Sequence, residues 1–289
     1  MATYITDELP QELLTSRFDV TVIVPTYNHE KYIERCLKSV LSQDFAGSLG
    51  LVIVDDCSTD ATLRTIEHYL ARAIVPASYK VFLISHITNQ FQRGRRHLRE
   101  ILNTISSEFF AICEGDDAWT DRTKIQKQFS FLASEAGAEF SVCGHDSSVC
   151  DDRGEIIAGS KLPENCKQDF DSKALKVCDC FILTNTLFFR GNIDFPTCLG
   201  NVPNGDNVLW STFGFHGSFK FMAHVGKSIY TKHAGGIWSS KSSVETTMMQ
   251  AETFLRLARY YYQRNEVWVS ETFLRKSYAL LGKFGSRKS

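Results

Sequence analysis

No stretch of the chain stays apolar for anything near 18 residues, so no segment reads as a membrane-spanning helix. Proline and glycine are sparse, at 6 and 18 of 289 residues, which excludes collagen-like and low-complexity chains. Cys-x-x-Cys pairs are absent. The nine cysteines are scattered and odd in number, which argues against a secreted disulfide framework and for free thiols in a reducing compartment. Cys178 and Cys180 form the only close pair and lack the further partners a zinc site needs. No Gly-x-Gly-x-x-Gly follows the first apolar run and no Walker loop occurs, so the glycine-based routes to dinucleotides and nucleoside triphosphates have no support. The opening MATYITDELPQELLTS lacks the apolar centre of a secretory signal, so the expected location is cytoplasmic.

What is present is a globular composition, 43% hydrophobic and 22% charged, which excludes a disordered chain. The length suits one large domain or two small ones. The net charge of −1 is unevenly spread. Residues 251–289 carry eight Lys/Arg against three Asp/Glu, so the body before them is mildly acidic. That balance gives no electrostatic reason to expect nucleic acid as a partner.

Val20–Pro25 is a β-branched run of the kind buried on both faces of a parallel sheet. After it, Tyr32, Ile33, Cys36, Leu37, Val40 and Leu41 recur on one helical face. Strands are expected at Leu49–Val54, Val81–Ser85 and Phe109–Cys113, with helices near 61–71 and 95–105 between them. Thr59 or Asp60 is placed to cap the first of these helices. Strand–helix alternation of this kind predicts a parallel, helix-covered sheet. Past Asp121 the pattern is mixed: a helix over 124–134, strands near 140–143, 156–157 and 181–189, a helix near 206–214, and a strand pair around 219–230. Helices over 244–263 and 267–281 close the chain. The expected organisation is an N-terminal extension over 1–17, an α/β domain over 18–240, and basic, aromatic helices over 241–289.

In an open parallel sheet, ligands bind outside the carboxyl ends of the strands. The residues there are Pro25-Thr26-Tyr27-Asn28, Asp55-Asp56, His86 to Asn89, and Glu114-Gly115-Asp116-Asp117. Three carboxylates within four residues repel one another unless a cation joins them, and hard oxygen ligands at an open site suit Mg²⁺ or Mn²⁺ with a substrate phosphate. The plainer alternative is a solvated acidic turn or a helix cap. Asp55 and Asp56 offer a similar choice, between capping the next helix and accepting N–H groups from a nucleobase on which Tyr27 stacks.

VTVIVPTYNHEKYIERCLKSVLSQ, LVIVDDCSTDAT and FFAICEGDDAWTDRTKIQKQFSFL together resemble the family-2 glycosyltransferases of the GT-A fold, and VPNGDNVLW and IYTKHAGGIWSS look like later segments of that family. The resemblance covers roughly residues 18–240. It implies a Rossmann-like α/β domain with a mostly parallel central sheet, and an inverting transferase that uses a nucleotide-diphosphate sugar and Mn²⁺ or Mg²⁺. It further implies that Pro25, Thr26, Tyr27 and Asn28 line the nucleoside pocket, with Asp55 and Asp56 at the base. Glu114-Gly115-Asp116 looks like the family's DxD motif with Glu first, leaving Asp116 or Asp117 to hold the metal. Asp206 is the implied general base, a role compatible with capping the helix after Asn204-Gly205. His233 is implied at the metal or diphosphate, its alternative being an ordinary loop histidine. Trp119 and Trp238 are either a platform for a sugar ring or packing. The sequence departs from many relatives in having Thr231 two residues before the histidine where they carry Arg. Gly205 stands before Asp206 where they carry an acid, and the basic NQFQRGRRHLRE places Arg93, Arg95 and Arg96 at the diphosphate or in solvent.

The implied partners are a nucleotide-sugar donor and a glycan or lipid-linked saccharide acceptor of bacterial surface-polysaccharide assembly. Phe254, Leu255, Ala258, Tyr261 and Tyr262 fall at helical spacing, as do Phe273, Leu274, Tyr278 and Leu281. These helices either pack on the body or on a second subunit, or touch the inner face of the cytoplasmic membrane through their basic residues. The rival functions are a sugar-nucleotide nucleotidyltransferase and a non-catalytic nucleotide-sugar-binding protein. The first normally has a Gly-rich, basic loop after the first strand, which TYNHEKY is not.

Overall fold

The first apolar run is a strand covered on both faces. In β2 (Arg17–Thr26), Val20, Val22 and Val24 face one layer of the core and Ile23 the other. The same alternation holds in the strands beside it, so neither face of the central sheet meets water. The computed structural model describes residues 2–94, 97–200, 202–236 and 241–285.

The elements run β1 (Ala2–Ile5), α1 (Gln11–Thr15), β2, α2 (Ile33–Leu41), β3 (Leu49–Asp55), α3 (Thr62–Leu70), β4 (Tyr79–Ser85), α4 (His97–Thr104), β5 (Ser106–Ile112) and α5 (Lys124–Leu132). They continue as β6 (Phe140–Gly144), β7 (Ser147–Cys150), β8 (Ile156–Ala158), α6 (Ser172–Lys176), β9 (Phe188–Arg190), α7 (Gly205–Gly214), β10 (Ser218–Phe221), β11 (Ser228–Thr231), α8 (Ser243–Tyr262) and α9 (Val267–Gly285). Eight strands form one sheet in the order β1-β4-β3-β2-β5-β9-β6-β10, parallel except for β9, which runs against both neighbours. Strands β11, β7 and β8 form a second, small sheet. The expected mostly parallel α/β architecture is what the chain adopts.

Several local expectations are revised. Residues 2–5 add an edge strand beside β4. The strand expected over 181–189 shrinks to β9, because Thr184–Thr186 turns in a single 3-10 turn whose polar groups reach neighbouring segments. The pair expected around 219–230 does not pair with itself. Strand β10 joins β6, whereas β11 crosses to β7 after Met222 and Val225 bury their side chains. The N-cap position of α3 falls on Ala61 rather than Thr59 or Asp60; Asp60, just before it, accepts from the Thr62 N–H at 2.9 Å through Oδ1. All nine cysteines are free, and the Cys178 thiol lies 3.3 Å from the Asn207 carbonyl.

The closing helices pack on the body with their inner faces. Phe254, Leu257, Ala258, Tyr261, Val269 and Phe273 join the core layer that holds Ile23, Phe82 and Phe213, while Leu255, Tyr262, Leu274, Tyr278 and Leu281 face outward. Among the described residues no helix is long and apolar enough to cross a membrane. Phe213 is fully buried against the rings of Phe189 and Phe195, with centroids at 5.0 and 5.7 Å. Phe213→Ala is expected to destabilise the fold by about 3–5 kcal/mol, read as a lower midpoint in urea denaturation.

Candidate active site

Strand register brings the polar residues together. Thr26 pairs with Asp55, and Asp55 with Ser85, so β2, β3 and β4 end at one level. Beyond the end of β5 the backbone continues beside β2, with Cys113 N–H bonded to Ile23 carbonyl at 3.1 Å and Gly115 N–H to Pro25 carbonyl at 2.9 Å. Glu114–Asp117 therefore lies against the Pro25–His29 turn. Only glycine fits at 115: a Cβ there would stand 2.5 Å from Thr26 Oγ1 and 2.9 Å from His29 Nδ1.

The nucleoside-side residues divide by contact. Tyr27 is 37% exposed, which leaves its ring face open to stacking. Asn28 adopts φ 56°, a left-handed conformation that asparagine tolerates, and its Oδ1 accepts from Thr59 N–H at 2.8 Å. Asp55 is buried and holds the Ser58 backbone and hydroxyl. Burial raises its pKa against those hydrogen bonds. Asp56 accepts from the backbone N–H groups of Gln90 at 2.6 Å and Phe91 at 3.1 Å. Its carboxylate thus meets the kind of donor that a nucleobase imide presents, supplied here by the chain's own loop. Arg93 is exposed, while Arg95, Arg96 and Trp238 lie outside the described residues.

The acidic turn is held from the small sheet. Ala118 and Ile229 exchange backbone hydrogen bonds of 3.1 and 2.7 Å, and Thr231 N–H donates to Asp117 Oδ1 at 2.9 Å. This docking carries His233, two residues on, to Asp116: its Nε2 lies 2.9 Å from Asp116 Oδ2. His29 approaches the same oxygen from the other side, Nε2 at 3.7 Å, with its Nδ1 3.1 Å from Thr26 Oγ1. Asp116, His29 and His233 each offer a ligand atom, and these atoms all lie within 4.8 Å of one another. Asp117 stays outside that group, buried behind the turn.

The electrostatics follow from burial of several acids together. Glu114 is pushed up to about 8, first by burial and then by Asp206 and Asp116, and its Oε2 has no hydrogen-bond partner among the described residues. Burial, then Asp116 and Glu114, raises Asp117 well above the usual carboxylate range. Burial works to raise Asp116 too, but the His233 hydrogen bond and the neighbouring His29 hold it below its ordinary value. Burial lowers the His29 pKa against the pull of Asp116. Asp206 sits in the first turn of α7, where Thr184 Oγ1 donates to its Oδ1 at 2.9 Å. The capping position belongs to Asn204 instead. Trp119 is packing rather than a sugar platform: it is 5% exposed, its Nε1 donates to the Asn185 carbonyl at 2.8 Å, and Lys124 Nζ lies 4.1 Å from its ring centre.

Residues 21–188 match the profile of glycosyl transferase family 2. The uncharacterised protein Rv1520 of Mycobacterium tuberculosis is 30% identical over 223 residues, covering 76% of this chain and 61% of that protein. The chain thus spans about three fifths of the length of this relative. Two solved structures share the fold. Staphylococcus aureus TarS 1–349 in complex with UDP-GlcNAc superposes with a TM-score of 0.59 at 22% identity, over 83% of this chain and 65% of that one. The mannosyltransferase PcManGT of Pyrobaculum calidifontis, in complex with GDP-Man and Mn²⁺, gives 0.56 at 18% identity, over 96% and 77%.

Three site residues escaped the sequence reading. His29 directly follows the Pro25–Asn28 turn, so its position after a strand was the available signal. Lys161 had none, being a lone lysine in an unpatterned stretch. Its Nζ stands 3.3 Å from the Tyr230 ring centre, and burial lowers its pKa while Asp117, Asp206 and Glu114 draw it upward. Arg35, from the exposed side of a helical pattern, reaches the space beside Thr231. Its Nη2 donates to the Asp116 carbonyl at 3.0 Å and to Thr231 Oγ1 at 2.5 Å. Arg35→Met should destabilise the protein by about 1.5–3 kcal/mol in urea denaturation, since both acceptors lose a charged donor.

Proposed function

The chain belongs to glycosyl transferase family 2, and from that premise we propose that it moves a sugar from a nucleotide-diphosphate donor to an acceptor hydroxyl with inversion at the anomeric carbon. The observation that carries the reading is the meeting, at one set of strand ends, of a cation-ligand group with the separate carboxylate of Asp206. The names of the solved neighbours, with UDP-GlcNAc in one and GDP-Man with Mn²⁺ in the other, support the donor class.

In this reading Tyr27 stacks on the base and Asp56 accepts its N–H, with Pro25, Thr26, Asn28 and Asp55 shaping the turn around the nucleoside. Glu114, whose Oε2 has no partner among the described residues, accepts from a donor hydroxyl. The mixed nitrogen and oxygen set of Asp116, His29 and His233 fits a divalent ion such as Mn²⁺, and Asp116 rather than Asp117 serves it. When bound, such an ion stabilises the charge that builds on the departing diphosphate. Asp206, oriented by Thr184, takes the proton of the acceptor hydroxyl as its oxygen attacks the anomeric carbon opposite the leaving group. Residues 18–240 form the catalytic unit.

For the acceptor we favour a glycan or lipid-linked saccharide, with the outward face of α8 and α9 resting on an anionic lipid surface at the cytoplasmic side. Leu255, Leu274, Tyr278 and Leu281 are 45%, 48%, 80% and 45% exposed and line one groove, with Arg275 at its edge.

Two measurements test these statements. Asp206→Asn should lower donor-dependent glycosyl transfer by about 10²–10⁴-fold while leaving UDP or GDP binding unchanged in calorimetry. A rate near wild type would remove Asp206 from the mechanism. Tyr278→Ser with Leu281→Ser should reduce cosedimentation with phosphatidylglycerol vesicles without lowering the melting temperature. Equal cosedimentation would reject the lipid contact.

A further inference from the structure

We propose that His29 is a direct ligand of the divalent cation, so that two imidazoles and one carboxylate hold it and the site selects Mn²⁺ over Mg²⁺. The inference rests on the reading of this site as a cation site, and it assigns a ligand from the first strand-end turn, far in sequence from the acidic motif.

The geometry supplies the reasons. An octahedral ion with bonds of about 2.1 Å sets adjacent donors about 3.0 Å apart and opposite donors about 4.2 Å apart. The donor atoms of His29, Asp116 and His233 lie within 4.8 Å of one another, so small closing motions bring all three onto one ion. The two rings stand nearly perpendicular, 88° with centroids at 5.9 Å, and both turn Nε2 toward Asp116 Oδ2. His29 is also aimed from behind. Thr26 Oγ1 lies 3.1 Å from Nδ1 and can accept its proton, the tautomer in which the Nε2 lone pair faces the site. Main-chain contacts fix the remaining position of the ring. His29 N–H donates to Thr62 Oγ1 at 2.7 Å, and Gly115 approaches so closely that no side chain intrudes between Thr26, His29 and the turn. Tyr32, 4.9 Å from the His233 ring, closes the far side.

A carboxylate-only site separates Mg²⁺ from the transition ions only weakly. Two imidazoles change that, because nitrogen donors favour Mn²⁺, Co²⁺ and Zn²⁺ over the strongly hydrated Mg²⁺. His29 therefore contributes to ion choice as well as to affinity.

The test uses Mn²⁺ alone and Mn²⁺ with UDP on the full chain, and needs no turnover. Echo-envelope modulation at bound Mn²⁺ should detect two directly coordinated imidazole nitrogens in the wild type and one in His29→Gln. The same substitution should weaken Mn²⁺ binding at least about 10-fold by titration, and lower the Mn²⁺/Mg²⁺ affinity ratio. Thr26→Val, which removes the oxygen behind Nδ1, should weaken Mn²⁺ binding by about 10-fold with both nitrogens still coupled. A single coupled nitrogen in the wild type, or no Mn²⁺ bound in either condition, overturns the inference. So does unchanged Mn²⁺ affinity in a folded His29→Gln protein. The wild-type spectrum decides the matter should that variant not fold. Two coupled nitrogens without any glycosyl transfer would overturn the proposed activity and leave the ligand assignment standing, whereas transfer with one nitrogen would do the reverse.

Discussion

Four carboxylates, those of Glu114, Asp116, Asp117 and Asp206, crowd one end of a sheet whose faces are dry, and that crowding governs the rest of the site. Two unit charges 4 Å apart repel by about 4 kcal/mol at the effective dielectric of a protein boundary. The chain relieves this in three ways. Asp117 accepts a backbone N–H and is displaced toward its neutral form, Asp116 is drawn to two imidazoles, and Lys161 brings a cation over Tyr230. Glu114 is left with a raised pKa and a buried oxygen that no described residue satisfies. A site compensated this incompletely is arranged to receive charge and hydrogen bonds from a ligand.

The small sheet is what makes such an arrangement mechanically possible. A Rossmann-like sheet alone delivers residues only at its strand ends, and Glu114–Asp117 would there be a free turn. Strand β11 pins it through the Ala118–Ile229 bridge, and Arg35 ties the Asp116 carbonyl to Thr231 from below. Thr231 stands where the family resemblance implies Arg. The guanidinium of Arg35 occupies the neighbourhood of that position from a different helix, bonded to main chain and hydroxyl and acting as a brace. Near the acids, positive charge comes from Lys161, which lies over Tyr230 and whose pKa Asp117, Asp206 and Glu114 draw upward.

The large sheet was legible because its strands are short, β-branched and separated by helices of clear period, and because strand ends are where polar residues have no packing reason to be. That logic reached Glu114, Asp116, Asp55 and Asp56 directly. It was weaker where geometry depends on long-range pairing. Nothing local distinguishes Ser218–Phe221 from Ser228–Thr231 as members of different sheets, since both are brief strands flanked by turns. The stretch Phe181–Phe189 is apolar enough for a strand, yet Thr184–Thr186 is needed to support Asp206 and Trp119 and so turns away. His29 and Lys161 converge on the acids only after folding, and a lone histidine or lysine carries no periodic signal.

The charge of the C-terminal helices takes a different meaning once the side chains are placed. Arg256 pairs with Glu252 at 2.6 Å, Arg275 with Glu271 at 3.2 Å and Lys276 with Asp179 at 2.5 Å; the two glutamates are already counted in the balance of these helices, so only Asp179 reduces their positive excess, by one charge. Arg264 lies over the Tyr260 ring at 3.8 Å. Exposed pairs of this kind contribute little to stability, but they reduce the long-range attraction that unpaired charges would exert on an anionic surface. The outer face thus joins an apolar stripe, Leu255, Leu274, Tyr278 and Leu281, to helices that keep most of their positive excess. A surface contact built this way gains from removing those side chains from water, a part that salt leaves intact, and from the remaining charge, which salt screens.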